Sequence, residues 1–187
     1  MENSGLEHMI RNNKFDEISL MHYMFSRVPE SFTLLSQQLS AYITATGSKL
    51  VQDDQIKTEE FVTQIVLLRR KVIDIYNKSF NKDPKIDVAI KQSFEGFINL
   101  NDRCARYLVF YLDEKFKKDF KMLSEAEVSE ELDKILQIFR YLQDKDVFEG
   151  FYKVSLAKRL LEQKSANEDA EKMMVLMLKE ECGFSFT

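Results

Sequence analysis

The chain reads as all-α, with long amphipathic helices packed as an antiparallel bundle or as stacked helical repeats. Three observations carry that reading. Only five Gly and two Pro stand in 187 residues, so few positions interrupt a helix. Apolar residues recur at alternating spacings of four and three in several long segments, which is the period of one helix face. No segment shows the alternation of a half-buried strand, apart from the brief Phe184-Ser185-Phe186 at the C-terminal end.

A first helix is predicted over roughly Phe15 to Arg27, with Ile18, Met21 and Phe25 apolar. Val28-Pro29 interrupts it, because proline disfavours helix in the residue before it and suits a first helical turn. A second helix runs from about Glu30 to Thr46 and is expected to stop at Gly47, where glycine can take the left-handed conformation that ends helices. The polar stretch VQDDQIK reads as a loop. Thr58 reads as an N-cap, with Glu59 and Glu60 at the positive end of the dipole. The helix that follows, about Glu59 to Phe80, carries the seam Phe61, Ile65, Leu68, Val72 and Ile75. Arg69-Arg70-Lys71 lies within it and reads as a solvated face.

Asp83-Pro84 supplies an N-cap and a first helical residue for a helix from Pro84 to about Leu100, containing Val88, Ile90, Phe94, Phe97 and Ile98. NLNDR breaks it, and Cys104 to Lys118 forms the next. Ser124 and Glu127 have capping-box spacing ahead of Val128, Leu132, Ile135, Phe139 and Leu142.

The segment Val147 to Leu161 mixes basic and apolar residues. At about 100° per residue, Phe148, Tyr152, Leu156 and Leu160 form one apolar stripe. Val147, Phe151, Val154 and Leu161 form a second, which predicts a helix packed on two sides. Lys153, Lys158 and Arg159 do not converge and read as charges snorkelling from a packed helix, not as a grip on an acidic partner. Ser165 precedes Glu168 by three, a second capping-box spacing, and Asn167 is a competing N-cap. Met173, Met174, Leu176, Met177 and Leu178 supply the last apolar face, and Gly183 closes that helix.

Composition narrows the function. Charged residues are 31 % and hydrophobic residues 44 %, ordinary for a folded, soluble chain. The net charge of -4 provides no general basic field for nucleic acid. No run approaches the ~18 apolar residues of a membrane span, and the N-terminus lacks a signal-peptide core. Cys104 and Cys182 form no paired motif, so a reducing compartment is expected, cytoplasmic and/or nuclear. His8 and His22, the two histidines, fall on different segments and lack further metal ligands. Cys182 beside Glu180 and Glu181 sits where a thiolate is disfavoured. Met122, Met173, Met174 and Met177 read as core filler, though methionines also build adaptable binding faces. There is no phosphate loop or nucleotide fingerprint. Accordingly no catalytic, cofactor-binding or metal-binding residue is assigned, no cofactor is expected, and an enzyme is not expected.

The segments DKDVFEGFYKVSLAKRLL, KSANEDAEKMM and LKEECGFSFT resemble the most recognisable internal stretch of the cullins, the elongated scaffolds of RING-type ubiquitin ligases. SFEGFINLN and YLDEKFKK are also similar to cullin segments. MENSGLEHMI and FSRVPESF resemble most closely the class that recruits BTB-domain adaptors. The chain departs from the family at Asp102 to Arg106, where a Ser-Pro-Glu helix start is common. The resemblance implies an internal piece of a longer scaffold. Residues 1–145 would correspond to the last N-terminal cullin repeat, a helical bundle. Residues 146–187 would open the following four-helix domain, cut short. It further implies a non-catalytic role, holding substrate adaptor and RING module at a fixed distance in ubiquitin-dependent degradation. The family's adaptor and RING sites would lie outside this chain. The alternative is a stand-alone helical module that binds a partner or competes with a full-length cullin. The hairpin of residues 146–183 is expected to fold back on the preceding bundle, self-associate or stay partly mobile.

Overall fold

A computed structural model describes residues 5–162, 164–165 and 167–183. The described residues form nine α-helices: α1 (Gly5–Arg11), α2 (Phe15–Phe25), α3 (Pro29–Gln52), α4 (Thr58–Ser79), α5 (Pro84–Ile98), α6 (Arg103–Lys117), α7 (Glu125–Phe139), α8 (Lys145–Leu161) and α9 (Glu168–Cys182), with a short 3-10 turn at Asp119–Lys121. No strand occurs among the described residues. The strand-like Phe184-Ser185-Phe186 lies outside them.

The chain divides by contact into two compact units, residues 1–54 with 67–98, and residues 55–66 with 99–187. These units cut across the division at residue 145 implied by the resemblance, which rests on family relationship and not on contact.

In the first unit α3 packs along α5. The α3 face is Leu35, Leu39, Ile43, Gly47 and Val51, all buried. The buried face of α5 includes Ile86, Ile90, Phe94 and Phe97, and the Phe97 ring lies against Gly47 of α3. Gly47 therefore does not end a helix, as its residue type suggested. It lies inside α3, and a Cβ built there would be 2.5 Å from Phe97 Cζ and closer still to two other ring carbons. The glycine is there because the neighbouring ring occupies the space a side chain would need. α3 consequently runs on through Val51 and Gln52, residues expected in a loop. The short α1 was also not anticipated. Its Leu6 and Ile10 are buried, and Asn13 (φ 53°) turns the chain into α2.

Hydrogen bonds tie α1 and α2 to the later turns of α4. Ser79 Oγ donates to the Phe15 carbonyl at 2.8 Å, and Lys71 Nζ to the Arg11 carbonyl at 3.4 Å. The α4 to α5 turn carries Asn81 and Lys82 at positive φ. Asp83 caps α5 as expected, its Oδ1 accepting from Lys85 N at 2.9 Å. Val88, expected on the apolar face, is 53 % exposed.

In the second unit α8 packs on α6 and α9 on α7. Of the arrangements considered for the hairpin, this is the one that folds back. The first turns of α4 bring Phe61 edge-on to Tyr107, with centroids 5.1 Å apart. Lys57, not Thr58, precedes the first turn, its carbonyl accepting from Phe61 N. The α7 seam of Val128, Leu132, Ile135 and Phe139 is buried, with Leu142 just beyond the helix. The Ser124 capping box forms in both directions: Ser124 N donates to Glu127 Oε2 and Glu127 N to Ser124 Oγ. Asn99 stitches the α7 to α8 turn, donating to the Tyr141 carbonyl at 2.8 Å and accepting from Gln143 N at 3.0 Å. α9 is capped by Asn167, whose Oδ1 accepts from Asp169 N and Ala170 N. Ser165 is not the cap. Gly183 ends α9 at φ 73°, a conformation glycine adopts without steric cost.

Candidate functional site

The basic residues of α8 separate in the fold. Lys153 pairs with Glu149 at 2.6 Å, and Lys164 with Glu162 at 2.7 Å. Lys158 is exposed. Arg159 behaves differently from the snorkelling charge expected. It is 1 % exposed and has the largest fully buried side chain among the described residues.

Arg159 reaches α9 and α6 at once. Its Nε and Nη2 donate to Glu171 Oε1 and Oε2 at 2.8 and 2.9 Å, a bidentate fork. Its Nη1 donates to Asp113 Oδ1 at 2.7 Å. The other Asp113 oxygen accepts from Lys117 Nζ, and Ser165 Oγ donates to Glu171 Oε1 at 3.1 Å. The guanidinium lies over the Phe116 ring, 4.7 Å from its centroid, with Tyr152 5.8 Å away. A buried charge survives only if it is paired and hydrogen-bonded. Here every guanidinium nitrogen has a carboxylate partner, and an aromatic face covers the group. Burial alone would raise the Asp113 carboxyl, but hydrogen bonds from Lys117 and Arg159 outweigh it and hold the group below its ordinary range. Burial, with the Glu171 charge nearby, pushes the Tyr152 hydroxyl up. The network locks α6, α8 and α9 together.

Among the described residues no three His, Cys, Asp or Glu side chains converge as metal ligands would. His8 and Asn12 interact locally on α1. His22 sits against Phe32 and Phe80, with Nε2 3.4 Å from Asp83 Oδ2. Burial raises the Cys104 thiol to about 12 and, with the acids around it secondary, also raises Cys182. Neither thiol is activated. Of the methionines, Met174 is buried and Met122 is 86 % exposed, so core filling describes the first and not the second. No described helix is long and apolar enough to cross a membrane.

Two of the surface hollows of the second unit are lined in part by apolar side chains. One, of about 420 Å³, is bordered by Phe110, Tyr111, Lys115 and Lys118. Its lysines are already paired, Lys115 with Asp119 and Lys118 with Glu114. The other, of about 650 Å³, is a groove between α8 and α9 lined by Leu156, Leu160, Val175 and Leu176. The apolar stripe of Phe151, Val154 and Leu161 is exposed, so α8 is packed on one side and not two.

The whole chain, residues 1–187, matches the cullin α-solenoid domain. It is similar to Cullin-3 of Dictyostelium discoideum (41 % identical), Cullin-3B of Arabidopsis thaliana (39 %) and Cullin-3 of Caenorhabditis elegans (32 %). Each similarity covers 100 % of this chain and 25–26 % of the relative. The chain thus spans about a quarter of the length of these relatives. Matched end to end by the family's solenoid domain, at this identity to three of its members, the chain belongs to the cullin family.

Proposed function

We propose that the chain is a non-catalytic scaffold segment of a cullin-RING ubiquitin ligase. It would hold a substrate adaptor of BTB type and a RING-bound conjugating enzyme at a set separation, in the cytoplasm and/or nucleus. The observation that carries this reading is the end-to-end match to the cullin solenoid domain, with Cullin-3 proteins among its relatives. The mechanism is geometric: a scaffold raises the effective concentration of the reacting groups by fixing their positions. Helices of 22 and 24 residues, such as α4 and α3, suit that task because a helix holds its length at about 1.5 Å per residue. The adaptor and RING contacts belong to other parts of the longer scaffold, with residues 1–145 serving as a repeat and residues 146–187 opening the next domain.

The test is a segment exchange. These 187 residues replace the matching stretch of the Dictyostelium Cullin-3, and substrate ubiquitination is reconstituted with its adaptor and RING protein. The chimera should retain most of the activity, while a flexible Gly/Ser linker in the same place should lose it. A linker chimera as active as the helical one would overturn the rigid-spacer reading. The isolated chain should add nothing to the background of the RING protein alone.

A further inference from the structure

The α8–α9 hairpin is fastened to α6 and α7 at both ends of α8. Near the start of α8 the Phe148 ring meets Phe139 of α7, with centroids 4.8 Å apart. Fourteen positions past Lys145, roughly 21 Å along the axis, Arg159 Nη1 donates to Asp113 Oδ1 of α6 at 2.7 Å. The two attachments differ in kind. An apolar ring contact resists separation but is non-directional, so one helix can still slide or roll on the other. The Arg159 bonds are directional, because the guanidinium that takes Glu171 in a planar fork is held to Asp113 by its third nitrogen. Lys117 holds the other oxygen of the Asp113 carboxylate, and the Phe116 ring, one turn along α6, lies against the guanidinium face. The pair of Arg140 with Glu181 also joins the hairpin to α7, but Arg140 is half exposed, and such a pair constrains little.

We propose that Arg159 is a positioning residue of the scaffold, setting through Asp113 the angle at which the α8–α9 hairpin leaves α6. This rests on the scaffold reading above, under which residues 146–187 lead from the repeat into the next domain. A tilt at this point would be passed on to everything carried beyond it. The division at residue 145 is then not a hinge: α6 to α9 belong to one compact unit, and the network bridges that division with buried charge. A fully bonded buried network rigidifies its surroundings and specifies one arrangement, which an apolar contact of similar size does not.

Spin labels at Arg106→Cys on α6 and Lys172→Cys on α9, both exposed positions, read that angle in the 187-residue chain as a distance distribution. Cys182→Ser removes the partly exposed thiol, and the buried Cys104 stays. The otherwise unaltered chain should give one narrow peak. Asp113→Ala, which leaves the Glu171 fork intact, should roughly double its width. Asp113→Asn should keep the width, because its amide oxygen can still accept from Arg159, although the charge is lost. A change of stability alone would move both variants alike. In the Cullin-3 chimera, Asp113→Ala should lower substrate ubiquitination about tenfold through misplacement of the reacting groups, with Asp113→Asn close to wild type. Adaptor binding and RING-stimulated discharge of ubiquitin from the conjugating enzyme to free lysine should be unchanged in both. Circular dichroism checks folding, and should Asp113→Ala not fold, Arg159→Leu with Glu171→Leu, which also frees α8 from Asp113, takes its place. An unchanged width in the folded variant overturns the proposal, as does equal broadening in Asp113→Asn or a broadened variant whose chimera ubiquitinates substrate normally. An inactive chimera carrying the unaltered 187 residues overturns the scaffold reading instead, and the role of Arg159 in ubiquitination falls with it, whatever the spin labels show.

Discussion

Arg159 and Glu171 face each other across the α8 to α9 turn through two N–H···O contacts of 2.8 and 2.9 Å, both side chains almost wholly buried. The contact joins residues twelve apart in sequence and fixes the register of the hairpin. Arg159→Ala would leave Glu171 and Asp113 charged without their main partner, a loss of about 3–5 kcal/mol. Arg159→Lys should recover little, because an ammonium cannot reproduce the planar fork. Arg159→Leu combined with Glu171→Leu should cost less than either single change, since burying neither charge removes the desolvation penalty. Urea melts of Arg159→Ala, Arg159→Lys, Arg159→Leu, Glu171→Leu and the double variant measure this. A double variant that loses as much as the sum of the singles would show that the two charges are not coupled.

That pairing was legible in part. With Phe148 set at 0° and about 100° per residue, Tyr152 falls near 40° and Arg159 near 20°, in the middle of the buried aromatic stripe. The wheel therefore puts Arg159 inside, although it reads, with Lys153 and Lys158, as a charge snorkelling from the helix. What no single-helix pattern holds is the identity of the partner, because Glu171 and Asp113 are supplied by two other helices. The second apolar stripe failed for the converse reason. Phe151, Val154 and Leu161 are periodic, but no described helix of this unit covers them. Seams with one clear face, Phe61 to Ile75 and Val128 to Leu142, came through unchanged. Gly47 was misread because an internal glycine and a terminal one look alike until the ring beside it is known.

Gly47→Ala tests that close approach. Alanine gains about 1 kcal/mol in helix propensity over glycine, which predicts stabilisation at an open site. Here the added methyl meets the Phe97 ring, and overpacking of this kind costs about 1–3 kcal/mol. The variant should melt lower than the wild type. Phe97→Leu, destabilising alone, should offset part of the loss when combined with it. A Gly47→Ala protein more stable than the wild type would mean that the ring moves aside freely.

Asp113 gives the acid limb of stability a defined source. Its carboxyl is held below the unfolded value of about 3.9, so the native state favours the ionised form. The associated stability is fully present above about pH 4 and is lost as the pH falls through the lowered native value. Asp113→Asn should reduce stability at neutral pH and make its decline below about pH 4 shallower. Thermal melts across that range, wild type against variant, give the slopes. Parallel slopes would assign the acid sensitivity to other carboxylates.

Ser124 is the simplest cap to remove. Its hydroxyl accepts from Glu127 N at 3.4 Å, and the Glu127 carboxylate accepts from Ser124 N at 2.8 Å and from Ser124 Oγ at 2.7 Å. Ser124→Ala removes one half of the box and the hydroxyl contact that helps hold the other, which typically costs about 1 kcal/mol. Glu127→Ala removes the other half and a favourable charge in the first turn of α7. The two residues form one motif, so the double variant should lose less than the sum of the singles. Hydrogen exchange should report the loss first at the N-terminal turn of α7, with the seam from Leu132 to Phe139 less affected. Exchange rising equally across the seam in Ser124→Ala would mean that the cap supports the packing of the whole helix and not only its first turn.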